Sequence, residues 1–174
     1  MLKLSLLSAL LAAATLALPA AAQAPAQPAP APVPDALPFA TPYGMPITLE
    51  QAKKVMAAAE AESKKRGWAH GIAVADPSGD LVLLVKMDGA QNAASKIAEG
   101  KARTAALFRR PTKAFFDAVE SGHPYVMSLL PGLVAADGGL PIIENGKVIG
   151  SIGASGGTGA QDAIVSKAGA DMIK

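Results

Sequence analysis

Cysteine is absent from all 174 residues. No disulfide, thiolate nucleophile or thiol-linked lipid anchor is therefore available, and any folded domain must hold together by core burial alone. Histidine occurs only at His70 and His123, and without thiolates beside them a protein-only zinc centre lacks its usual ligands. An excess of one charge is missing too. Sixteen Lys and Arg face fourteen Asp and Glu, too even a balance to advertise nucleic acid or an anionic membrane as partner. There is no Cys-x-x-Cys, no His-Glu-x-x-His, no phosphate loop ending in Gly-Lys-Ser and no Gly-x-Ser-x-Gly. The apolar run Leu4 to Leu18 falls short of the roughly 20 residues a membrane span needs.

What is present begins with an export signal. Lys3 supplies a positive start, Leu4 to Leu18 an apolar core, and Pro19, Ala20, Ala21 and Ala22 a small-residue cleavage region. Residues 1–22 are expected to be a signal peptide cut near Ala22 or Ala24. The mature chain is then exported, periplasmic or secreted, with no membrane span. Loss of Lys3 leaves fifteen basic against fourteen acidic side chains, a net charge near +1. Residues 23–44 form a Pro/Ala-rich flexible linker, because Pro25, Pro28, Pro30, Pro32, Pro34 and Pro38 forbid helix and ladder alike. A single domain follows over residues 45–174, long enough for one core.

Order is expected from Ile47. Thr48-Leu-Glu-Gln51 has capping-box spacing, and Leu49, Ala52, Met56, Ala59 and Ser63 recur at helical intervals up to Gly67. Gly71 to Asp76 reads as a strand, Pro77-Ser-Gly79 as a turn and Leu81 to Lys86 as a strand buried on both faces, the two forming a hairpin. Ala93 to Phe108 is helical, with a small-residue stripe at Ala94, Ala98, Ala102 and Ala105 that suits close packing on a sheet. Pro111 ends it, and Thr112 is placed to cap a second helix up to Ser121. Leu133 to Ala136 reads as a strand. Asn145-Gly146 joins Leu140–Glu144 to Lys147–Ala154 as a hairpin, because Asn-Gly suits a type I′ turn. A last helix starts at Thr158, with Gln161 completing a second capping box. Hairpins on either side of a helical insertion argue an α+β fold built on an antiparallel sheet.

Chemistry has few places to sit. Lys101, Arg103, Thr104, Arg109 and Arg110 make a basic cluster on and beyond one helix. Guanidinium groups suit carboxylates, and the plain alternative is a solvated face with favourable helix-end charges. Ser155, Gly156 and Gly157 before a helix offer backbone N–H groups to an anion, or simply turn the chain. His123, in a Gly-His-Pro-Tyr turn, is freer to reach a metal held in a ligand than His70, which stands at a strand edge. Both also have a purely structural reading. Met87 and Met127 read as core filler before thioether ligands.

Seven segments in register resemble the GlcG/HbpS family: Ile72–Asp76, Pro77–Leu81, Lys86–Ala90, Lys101–Ala105, Arg110–Thr112, Asp137–Ile142 and Val148–Gly157 with Gln161-Asp162. The resemblance spans roughly Thr48 to Ile173. It implies a profilin-like antiparallel sheet of about five strands with helices on both faces, assembled as a homo-oligomer. Relatives include extracellular heme-binding proteins and the terminal domain of corrinoid adenosyltransferases of the PduO type. The resemblance points to heme as cofactor and to Thr112 as a contact near the iron; because imidazole suits iron, His123, or more weakly His70, is the candidate axial ligand. Arg103, Arg109 and Arg110 would then pair with propionates while Phe108 and Phe115 cover the porphyrin. Asp137 stands where the family usually has glutamate before the paired glycines.

Three functions stay open on the sequence. The leading one is an exported, non-catalytic heme binder that sequesters or senses heme. The second is an enzyme or accessory domain for a small carboxylate, cradled by Gly138-Gly139 and the Ser155–Thr158 loop. The third is a structural partner of a sensor kinase.

Overall fold

The computed structural model describes residues 39–174. The expected signal peptide and most of the linker lie outside them. The element order is α1 (Leu49–Lys65), β1 (Gly71–Ala75), β2 (Leu81–Lys86), α2 (Ala94–Phe108), α3 (Lys113–Glu120), a 3-10 turn (Pro124–Ser128), β3 (Gly139–Glu144), β4 (Lys147–Ser155) and α4 (Gly159–Ala170). Both capping boxes are present, Thr48 with Gln51 on α1 and Thr158 with Gln161 on α4. Asn145 and Gly146 both take positive φ, at 50° and 74°, as a type I′ turn requires.

The sheet has four strands in the order β2-β1-β4-β3, all pairs antiparallel, and not five. Leu133 to Ala136, expected as a strand, is turn and coil. Its polar backbone is served instead by side chains, as when Thr104 Oγ1 accepts from Val134 N at 3.1 Å. Something short of a strand does fill the free flank of β4. Tyr43 makes one parallel bridge with Val148, and Gly44 N and Ile47 N donate to the carbonyls of Val148 and Ile149. The chain is thus engaged with the domain ahead of α1. Arg110 lies 3.8 Å over the Phe39 ring, and Arg109 donates to Thr41 O at 3.1 Å.

Burial corrects one reading. Every residue of β1 is buried, whereas β2 exposes Leu81 and Leu84. Leu81–Lys86 is an edge strand, and the strand covered on both faces is the less greasy Gly-Ile-Ala-Val-Ala. Its alternation explains why. Ile72 and Val74 join Val55, Met56, Ile152 and Val165 in the main core under α1 and α4. Ala73 and Ala75 face Ala98 and Ala102 of α2 on the other side. The alanine stripe behaves as expected, since Ala94, Ala98, Ala102 and Ala105 are all buried. Helices therefore cover both faces, the α2 side mainly through small side chains.

Close approach is the condition of that second layer. A Cβ on Gly153 of β4 would run into Ala98 O and lie 2.6 Å from Ala102 N. Gly153→Ala is expected to cost about 3 kcal/mol, the upper end for overpacking. Urea denaturation should show a lower midpoint with an unchanged slope.

Candidate functional site

The centre of the domain is charged. Lys101, on the same α2 face as the alanine stripe, is 2% exposed. Its Nζ donates to Asp162 Oδ2 at 2.6 Å and to Ala154 O at 3.0 Å. Asp162, in the first turn of α4, is equally buried, and its Oδ1 accepts from Gly157 N at 3.0 Å. His70 completes the group with no exposed surface. Its Nδ1 lies 2.7 Å from Ser63 Oγ, which itself donates to Trp68 O at 2.9 Å. Nε2 stands 3.2 Å from Asp162 Oδ1 but without the alignment of a hydrogen bond. Burial pulls the His70 pKa below its ordinary 6.5, outweighing the attraction of Asp162, with Lys101 pushing the same way as burial. The ring is sealed in the core and presents no lone pair to an external iron.

The structure brings Lys101, Thr112, Gly138, Gly139, Ser155, Gly156 and Gly157 together around this hub, but as packing and not as an open cradle. Thr112 occupies the cap position of α3 without capping it. Its hydroxyl donates to Ala136 O at 2.6 Å and accepts from Gly139 N at 2.9 Å. Gly138 lies where a Cβ would sit 2.5 Å from the Asp162 Cβ and 3.0 Å from Lys101 Nζ. A Cβ on Gly156 would strike Ala69 O. The loop amides are spent within the chain: Gly138 N on Asp137, Gly157 N on Asp162, Thr158 N on Gln161.

The basic cluster does not assemble. Lys101 is internal, Arg103 is exposed, and Thr104 is buried holding Val134 N. Arg109 sits in left-handed conformation at φ 53° and stacks 5.3 Å from the Tyr43 ring. Arg110 lies among the rings of Phe39, Phe115 and Phe108. Burial, with Arg109 adjacent, lowers its pKa from the usual value. Phe115, expected to cover a ligand, is buried with Val126 and Leu133 in a satellite core that Phe108 packs against. His123 is exposed, its ring edge-on to Tyr125 at 6.0 Å. Met127 is exposed on the 3-10 turn, and Met87 packs partly buried on the main core.

An apolar opening lies beside the hub. A slot of about 300 Å³ lies between Lys113 and Phe116 of α3, Ala136 and Asp137 of the loop before β3, and Gly159 and Ala160 at the start of α4. Its walls are mainly apolar. Lys113, paired with Asp117 at 2.6 Å, has its pKa raised by that hydrogen bond first, with Asp117 and Asp137 adding attraction. As the first residues of a helix, Gly159 and Ala160 have no intrahelical acceptor for their N–H groups. Thr112 and Gly138, which bond within the interior, are chain neighbours of slot-lining Lys113 and Asp137. Among the described residues no group of three His, Asp or Glu is placed to hold a metal ion. None of their helices is long and apolar enough to cross a membrane.

The sequence reading missed Asp162 as a partner, although one signal was there. Lys101 stands three residues after Ala98 and beside Ala102, on the apolar stripe itself. A lysine on that face demands a buried carboxylate.

An antiparallel sheet between helix layers, with a charged pair sealed inside and an apolar slot beside it, defines a small α+β domain. The chain belongs to the HbpS-like family, whose model, described as "Haem degrading protein HbpS-like", matches residues 47–171. Protein GlcG of Escherichia coli is 41% identical over 109 residues, 63% of this chain and 81% of that protein. The crystal structure of a Streptomyces reticuli HbpS double mutant superposes with a TM-score of 0.70 at 30% identity, covering 84% of this chain and 99% of that one. A PduOC:heme complex superposes at 0.69 and 23% identity over 75% and 96% of the two chains, and shares the fold.

Lys101→Met is expected to cost about 3–5 kcal/mol, because Asp162 is left as an unpaired buried charge, whereas a Lys101→Met/Asp162→Leu double variant recovers part of the loss. Thr112→Val, which orphans Ala136 O and Gly139 N, should cost about 1–3 kcal/mol. Urea denaturation of each variant measures both.

Proposed function

We propose that the protein binds heme outside the cytoplasm, sequestering or sensing it, with the slot between α3 and the start of α4 as its point of contact. The observation that carries this reading is the make-up of the slot: apolar walls from Phe116, Ala136 and Ala160 with a cation, Lys113, at the rim. That combination suits the edge of a porphyrin and one propionate. Family membership adds weight, since a relative of the same fold is a heme complex. About 300 Å³ is at the lower end for small-molecule sites, so the slot takes part of the macrocycle. Further apolar surface is exposed on α3 and on the 3-10 turn packed against it, at Phe116, Tyr125, Met127 and Leu129. When bound, heme would supply the redox and ligand-binding chemistry of its iron. The chain's own residues orient the ring and neutralise its carboxylates.

The fit has one limit in the donor set. No imidazole lines the slot, and His123 lies beyond the far end of α3 from Lys113, about 10 Å of helix away. His123 remains the accessible candidate for the iron, most simply supplied from a second copy in a homo-oligomer. The small-carboxylate reading is weakened, because the amides of Gly138, Gly157 and Thr158, proposed as part of its cradle, are consumed internally. A sensor kinase is a natural partner if the bound state is read at a membrane.

A Soret titration of the chain with hemin is the test. A saturable red shift at micromolar heme is expected, with Phe116→Glu weakening it more than tenfold and Lys113→Glu several-fold. The band should persist once formed. Its bleaching with iron release would assign degradation instead of storage, and no shift at all would overturn the reading.

A further inference from the structure

The hub pairs one permanent cation, Lys101, with one carboxylate, Asp162, and sets a titratable ring, His70, against both. Charged groups facing His70 are Asp162 from α4 and Lys101 from α2. From α1 comes only the neutral Ser63, and from the next turn Trp68, whose ring meets His70 edge-on at 5.9 Å. Arg66 stacks on the Trp68 ring at 5.1 Å and adds no anion. The end of β2 contributes a backbone bond from Met87 N to His70 O. Gly156 closes the remaining side, its ideal Cβ position 3.2 Å from the His70 ring. Asp162 is therefore the one acid in contact, and both of its oxygens are engaged, Oδ2 by Lys101 and Oδ1 by Gly157 N.

We propose that His70 is an acid-release latch: protonation places a second buried cation against a single carboxylate already paired with Lys101, and this loosens the join between α1, β1 and the start of α4. The neutral ring is the state the closed hub fits. Ser63 Oγ donates to Trp68 O at 2.9 Å and lies 2.7 Å from Nδ1, an arrangement that suits Nδ1–H as the donor and a neutral ring. A proton added at Nε2 leaves the buried hub with two cations to one carboxylate, and that excess charge bears on Asp162 Oδ1, whose bond from Gly157 N ties the Ser155–Gly157 turn to α4. Gly159 and Ala160, two residues further on, form one wall of the slot. That acid would also release a ligand from the slot rests on the heme reading above; the latch itself does not.

The sign follows from linkage. A histidine whose folded-state pKa lies below 6.5 binds fewer protons folded than unfolded, so stability is complete above about pH 6.5 and drains away as pH falls below it. Urea denaturation of the full chain between pH 7.5 and 5.5 avoids carboxylate titration. The folding equilibrium constant should fall towards the tenfold per pH unit that one proton gives. His70→Gln should abolish the dependence and His123→Gln should keep it. If His70→Gln does not fold, the His70 ring resonance of the unmodified chain decides. A midpoint below 6.5 with falling protection of the Gly157 amide in acid is expected. A midpoint at or above 6.5, a flat stability profile, or an unchanged slope in His70→Gln would overturn the latch. None of these readouts uses heme, so their failure and that of the proposed function are separate events.

Discussion

A lysine and an aspartate, 61 residues apart in sequence, meet at 2.6 Å inside this domain, and the arrangement of everything nearby depends on them. Lys101 enters from α2 on one side of the sheet, Asp162 from α4 at the sheet's end, and Ala154 O of β4 between them takes a second ammonium hydrogen. Neither charge tolerates burial alone. Their pairing therefore fixes how far α2 and α4 are set into the fold, and with them the turn from Gly156 to Thr158. A buried pair of this kind adds little net stability over apolar residues of the same size. What it adds is a unique position for two helices that small, featureless side chains would otherwise leave free to slide.

The alanines and glycines are the other half of that design. With no cysteine to staple it, the domain gains contact by bringing backbones together, as at Gly139 and Gly153 against α2 and Gly169 against Val55 and Ile152. Such surfaces carry little shape of their own. Specificity is supplied by the few polar side chains driven among them: Ser151 Oγ on Ala102 O, Ser166 Oγ on Gly138 O, Thr112 on Ala136 and Gly139. The slot lies just outside this lattice, with one wall held by α4 and another by α3, so its width is set by groups that never reach it.

Local chemistry was legible from the sequence and long-range pairing was not. Both capping boxes and the Asn145-Gly146 hairpin follow from residues within four positions of each other, and each forms as read. The resemblance to the family and the α+β class also hold, as do helices on both faces. Strand order was beyond reach, because nothing in Leu81–Lys86 distinguishes an edge from a centre. Its apolar run matched a doubly covered strand, while the true centre, Gly71–Ala75, hides behind alanines. The site residues divide in the same way. Thr112, Gly138, Gly139, Gly156 and Gly157 do converge, but their donors and acceptors satisfy one another. Arg103, Arg109, Arg110 and Lys101 look alike in sequence and end in four different environments, since exposure depends on what α2 is packed against.

The slot is where the functional account is most open to direct contradiction. Amide hydrogen exchange of the chain with and without one equivalent of hemin reads every segment at once. The account predicts added protection concentrated at residues 113–116, 136–137 and 159–160. Protection confined to segments remote from α3 and the start of α4, or none anywhere, would contradict it.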